Sequence, residues 1–232
     1  MTTLSFASIR TWIVTLCVVT LALPAGVLAG TIVGKTTLEG DYQIAGRETM
    51  DADALIKAKR SVVVSDRGGL ANVVVSVENV KGSHVAPSEP AELNQKEKTF
   101  VPHVLPVVKG QPVEFVNSDL ILHNIHAFDG ETTIFNTAMP FQGQRMPVNL
   151  ESDDDVVKVT CDVHKNMQGW VLLRDNPFFG VSKETGLFSI EDVPAGTYSL
   201  RAWHEVFGTI EQTITVRDGE EKTPVIFKFE AG

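Results

Sequence analysis

Cys161, His164 and Met167 fall within V-T-C-D-V-H-K-N-M-Q-G-W (159–170), in a C-x-x-H-x-x-M spacing. A thiolate, an imidazole and a thioether this close together supply three of the four donors of a mononuclear electron-transfer copper site. The fourth, a second imidazole, has to come from a neighbouring strand end, and His123 in L-H-N-I-H (122–126) is the candidate. Thiolate and imidazole together select copper or zinc, and the thioether favours copper because zinc rarely takes methionine. Trigonal Cys-His-His with a weak axial Met suits a metal that changes by one electron, since neither oxidation state then demands much movement. Four donors close the site and leave no position for a substrate, so no enzyme activity is expected.

Each of these residues also has a plainer reading. Cys161 alone reads as a buried core thiol. His126 lies three residues beyond His123, so on an extended strand it faces the other way. It and His103 are further candidate ligands, or else hydrogen-bonded strand histidines. His84 reads as a solvated loop residue, and His204 as a structural residue further along the chain. Met139 and Met146 read as core fillers, although either could replace Met167 as the axial group. Asn124 could tie the two ligand-bearing loops together, or be an ordinary turn asparagine.

The elements that must hold these residues are strands. T-I-V-G-K-T-T-L (31–38), S-V-V-V-S (61–65), A-N-V-V-V-S-V-E (71–78), V-V-K-G-Q-P-V-E-F-V-N (107–117), V-V-K-V-T-C (156–161) and G-W-V-L-L (169–173) are β-branched and bounded by Gly, Pro, Asn or Asp. Residues 50–60 are the one plausible helical stretch, and 81–98 reads as an extended loop. No long 3.6-residue apolar period occurs, so the expected class is all-β. Many short strands joined by such turns point to β-sandwiches. Near D-N-P-F-F-G (175–180) the chain changes character, and about 57 residues remain for a second sandwich. That is a marginal core on its own, so it should pack against the first. Phe178, Phe179, Phe188, Tyr198 and Trp203 would form that core and contact, or else a surface for a partner or sugar.

The chain begins with an export-like segment. Arg10 precedes the apolar run Trp12–Leu23, then Pro24 and Gly26, then the small residues V-L-A at 27–29. Twelve apolar residues are too few to span a bilayer, which needs roughly 20. Residues 1–29 are therefore expected to be a signal peptide, with the periplasm as destination and no stable membrane insertion. A retained anchor is the alternative. Cys17 follows Leu16, not a small residue, and does not read as a lipoprotein cysteine. Cys161 is then the single cysteine of an exported chain, which favours a ligand or buried role over an exposed thiol. The formal charge of −9, with no Lys/Arg cluster, argues against nucleic acid as a partner. It favours a redox partner protein with a basic docking patch.

F-V-P-H-V-L-P-V-V-K-G-Q-P-V-E-F-V-N-S-D (100–119), then L-H-N (122–124), then V-T-C-D-V-H-K-N-M (159–167), resembles the cupredoxins, and the short ligand loop is more like amicyanin than plastocyanin. The chain is also similar to exported bacterial plastocyanin-like proteins labelled methylamine-utilisation proteins, in which a carboxypeptidase-regulatory-like sandwich follows. T-G-L-F-S-I-E-D-V-P-A-G-T-Y-S-L-R-A-W-H-E (185–205) resembles that second module. The resemblance implies a cupredoxin Greek-key β-sandwich over 30–174, with an insertion at about 40–100. A small Ig-like or transthyretin-like β-sandwich would follow over 175–232. It also implies one copper ion held by His123, Cys161, His164 and Met167, in a type 1 (blue) copper protein carrying single electrons between redox partners. Storage or delivery of copper in the cell envelope, or a non-redox interaction role, is the alternative.

Overall fold

The computed structural model describes residues 29–219 and 221–231; the expected signal segment lies almost wholly outside the described residues. The regular structure of the described chain is nearly all strand. In order the strands are β1 Gly30–Glu39, β2 Val74–Glu78, β3 Ala91–Gln95, β4 Phe100–Val101, β5 Val104–Val108, β6 Val113–Asn117, β7 His123–Asp129 and β8 Thr132–Met139. They continue as β9 Arg145–Val148, β10 Val156–Thr160, β11 Gln168–Arg174, β12 Phe179–Val181, β13 Leu187–Val193, β14 Gly196–His204, β15 Gly208–Val216 and β16 Lys222–Glu230. One α-helix, α1 (Ala52–Ser61), starts where Asp51 caps the Ala54 amide at 2.8 Å. The stretch 61–65, expected as a strand, instead closes this helix and makes one isolated bridge, Val64 to Leu70. The stretch 81–98, expected as a loop, contains β3.

The strands form two sandwiches. In the first, the sheet β5-β11-β10-β7-β8 faces the sheet β4-β3-β6-β9 across a core that includes Leu93, Phe115, Ile125, Val159 and Val171. Pro106 can sit in β5 because β5 is an edge strand and gives up no ladder bond there. In the second, the sheet β13-β1-β16 faces β12-β2-β14-β15 across Ile32, Val75, Ile190, Leu200 and Phe227.

This pairing corrects the expected division of the chain. β1 pairs with β13 and, in parallel, with β16; β2 pairs with β12 and β14. Residues 30–80 therefore belong with the C-terminal strands, and the metal-type sequence at 91–174 is carried between the two parts of the second sandwich. The reason is burial. A core of about 57 residues would be marginal, whereas β1, β2 and the residue before β2 add Ile32, Val73, Val75 and Val77 to it.

The valine runs show how the sandwiches meet. On β2, Val75 and Val77 face the second core, while Val74, on the opposite face of the strand, packs with Val104 and Leu172 of the first sandwich. On β11, Val171 and Leu173 face the first core, while Leu172 joins that contact and Trp170 meets Trp203 edge-on at 5.5 Å. Strands buried on both faces need apolar residues without alternation, and that is what 73–75 and 171–173 supply. Leu172→Ala should cost about 3 kcal/mol, a void at a site with no exposure. Urea unfolding followed by tryptophan fluorescence would read this, and a loss under about 1 kcal/mol would show that the contact contributes little.

His204 lies fully buried against Phe207 and Phe229, with Nδ1 accepting from the Val206 amide. Burial holds its pKa down at about 4 against an ordinary 6.5. The unfolded chain takes up this proton near pH 6.5 and the fold only near 4, so the stabilisation is complete above pH 6.5 and lost as pH falls through that window. Between pH 7 and 4.5 the loss from this group should be about 2.5 kcal/mol. The variant His204→Phe should show a flatter dependence in equilibrium unfolding; equal slopes would discard the assignment.

Candidate metal centre

The β10–β11 hairpin carries three of the four expected donors. Cys161 follows the last residue of β10, Met167 precedes the first of β11, and the Met167 amide donates to the His164 carbonyl at 2.9 Å to close the loop. β7 lies beside β10, with His126 opposite Thr160, so the start of β7 reaches the same end of the sandwich. His123 is the first residue of β7. The sequence separation of 38 residues is closed by ordinary antiparallel pairing.

His123 Nδ1 lies 3.8 Å from Cys161 Sγ, His164 Nδ1 lies 3.8 Å from the same sulfur, and the two ring nitrogens are 3.1 Å apart. Among the described residues, these three form the group of His, Cys and carboxylate donors able to converge on one ion. The triangle is itself a test of fit. The point equidistant from the three atoms lies about 2.1 Å from each, close to first-row metal bonds of roughly 2.0–2.1 Å to nitrogen and 2.3 Å to sulfur. Cys161 is free and buried, and His123 has no exposed surface. Burial and the neighbouring His123 hold the His164 pKa below its ordinary value, which favours the neutral, ligating ring.

Met167, the expected fourth donor, is buried in the same apolar cluster as Cys161. Met139 is opposite His123 on β8, but its sulfur accepts from Gln95 Nε2 at 3.2 Å, and Met146 sits on β9 opposite Phe115. The other histidines are placed away from the cluster. His126 uses both ring nitrogens, one on Asp162 at 3.0 Å and one on Thr133 at 2.9 Å. His103 is bonded to Glu205 of the second sandwich. His84 is packed edge-on to Phe178 at 5.5 Å, and so is more than a solvated loop residue.

Two asparagines build the frame. Asn124 Oδ1 accepts from the Asp162 amide at 2.7 Å and lies 3.3 Å from Cys161 Sγ. Its Nδ2 donates to Asn136 and Asp162 at 2.8 and 3.0 Å. This one side chain therefore joins the His123 strand to the Cys161 loop. Buried Asn117 donates to the Ile121 and Met139 carbonyls and accepts from the Asp119 amide, which shapes the loop entering His123.

Sequence reasoning passed over Asp119, although it ends the N-S-D corner four residues before His123. Its Oδ2 lies 2.9 Å from His123 Nε2, and its two oxygens accept from the Glu97 and Lys98 amides at 2.7 and 3.0 Å. Partial burial pushes this carboxyl up, but the two amides and His123 outweigh that and hold it below the usual range. An acid four residues before a candidate ligand was the signal available.

No protein-family model matches this chain, and no curated protein matches it. Among solved structures, the chain is similar to a purple cupredoxin from Nitrosopumilus maritimus, at 24% identity and a TM-score of 0.32, over 36% of this chain and 99% of that one. It is similar to a reduced amicyanin variant at 16% identity and TM-score 0.34, over 43% of this chain and 98% of the other. It is also similar to a copper-containing nitrite reductase from Thermus scotoductus SA-01, at 20% identity and TM-score 0.33, over 41% of this chain but 25% of that enzyme.

Proposed function

We propose that this protein is an exported type 1 copper protein that carries single electrons between redox partners, with a cupredoxin-like first sandwich. His123, Cys161 and His164 would be the equatorial ligands and Met167 the axial one. The observation that carries this reading is the triangle of two ring nitrogens and one sulfur, sized for a single ion. When bound, copper supplies a one-electron couple. The chain supplies rigidity: His123 and Cys161 sit buried at strand ends and are tied across by Asn124, and Cys161 and Met167 pack in the apolar core. A frame of that kind resists the rearrangement that a change of oxidation state would otherwise demand.

We read it as a carrier in preference to an enzyme, because with Met167 joining the three converging donors no position would be left for a substrate. Partner encounter would use the loops around the site. Leu120, Leu122, Phe141 and Val163 are exposed there, and the Gln142 side chain holds the 141–143 turn to the Ser118 carbonyl at 3.0 Å. The chain's formal charge of −9 would favour a partner with a basic docking patch. We read residues 1–29 as a signal peptide for the periplasm, and the second sandwich as the regulatory-like module of methylamine-utilisation-type proteins. Among the described residues no helix is long and apolar enough to cross a membrane.

Loading the purified protein with Cu(II) should give a strong visible thiolate-to-copper band and a reversible voltammetric wave. Cys161→Ser should abolish the band, while His126→Ala should keep it, since His126 points to Asp162 and Thr133. A colourless Cu(II) complex would reject the electron-carrier reading. Copper(I) binding without a reversible wave would transfer the proposal to storage or delivery.

A further inference from the structure

Residues 96–99 make a two-residue hairpin turn between β3 and β4, closed by Lys96 and Thr99 exchanging main-chain bonds at 2.9 and 3.1 Å. Its two central residues, Glu97 and Lys98, have φ of +53° and +54°. Such a turn ordinarily calls for Asn-Gly or Asp-Gly, because other side chains crowd the backbone at positive φ. Successive amides in left-handed conformation point to one side and form a cradle for an anion. Here the cradle holds the Asp119 carboxylate. From the opposite side, Asn166 Nδ2 in the ligand loop donates to the Lys98 carbonyl at 3.4 Å, and Arg60 of α1 donates to it at 3.0 Å.

The carboxylate so held also meets His123 Nε2 at 2.9 Å, on a side chain that is 15% exposed against a ring that is fully buried. A neutral carbonyl would satisfy that ring N–H equally well as a hydrogen-bond acceptor. An anion does more: it increases the ring's donation through its other nitrogen.

We propose that Asp119 is the positioning residue of this metal centre, held by the Glu97–Lys98 turn. It keeps the His123 proton on Nε2, leaves the Nδ1 lone pair facing Cys161 and His164, and favours the more highly charged state of the bound ion. The last clause rests on the copper reading above; the first two do not.

The test begins with the metal-free full chain. Long-range nitrogen–proton NMR of the histidine rings should show the His123 proton on Nε2; a proton on Nδ1 overturns the proposal. Asp119→Asn is then made in a Glu97→Asn, Lys98→Gly background, whose turn does not need a carboxylate to stay folded. Relative to that background, loading with copper sulfate and reducing with ascorbate should give a higher midpoint potential with the visible band retained. Asp119→Ala in the same background should weaken Cu(II) binding about ten- to hundredfold. An unchanged potential and affinity would mean that Asp119 serves only the turn. If the parent protein binds Cu(II) without colour, the electron-carrier reading fails, and the tautomer alone decides for or against Asp119.

Discussion

β7 and β10 run antiparallel from His126 opposite Thr160 to Asp129 opposite Val157, and the candidate metal centre depends on this ladder. It places two loops, remote in sequence, side by side at one end of the sandwich. The ladder is secured from the core and at its end. Val157 and Val159 of β10 enter the apolar core. Beyond the last paired residue, Asn124 takes over with bonds to the Asp162 main chain and the Cys161 sulfur. Slippage by one residue would turn the valines to solvent and carry His123 away from the sulfur.

The donor cluster is a set of polar groups inside an apolar end, and such groups are costly unless satisfied. Nearly every neighbour serves that need. Asp119 takes the outer nitrogen of His123, the Glu97 and Lys98 amides take Asp119, and Asn117 takes the Asp119 amide. What remains facing inward is the pair of Nδ1 atoms and the sulfur. Without an ion, one ring proton can bridge the two nitrogens and the thiol can reach Asn124 Oδ1. A single cation satisfies all three lone pairs together.

The second sandwich touches this frame through a buried polar cluster. Glu205, in the turn after β14, accepts from Gln168 at 2.8 Å and from Ser61 of α1 at 2.9 Å, and is bonded to His103. Burial pushes the Glu205 carboxyl up, but His103 foremost, together with the Trp170 indole N–H and the Ser61 hydroxyl, outweighs this and keeps it below the usual range. Gln168 adjoins Met167, so the strand leaving the ligand loop is anchored in both sandwiches. The apolar contact of Val74, Val104 and Leu172 lies on the same junction.

Local chemistry was legible in the chain itself. The C-x-x-H-x-x-M spacing, the valine strands other than 61–65, the all-β class and the helix near 50–60 all rest on neighbours a few residues apart, whose relations covalent geometry constrains. Asn124 as a tie between loops could be anticipated because it adjoins His123. The division of the chain could not. Whether β1 joins the strands that follow it or those 150 residues later depends on which sheet can bury Ile32, a question of long-range pairing that no local pattern encodes. The same holds for Asp119, whose importance comes from a turn 21 residues upstream, and for His103, drawn to a carboxylate in the other sandwich. Residue types set which chemistry was possible; packing decided which donors share a point in space, because only the folded chain excludes water from one end of a sheet and leaves two nitrogens and a sulfur to face each other there.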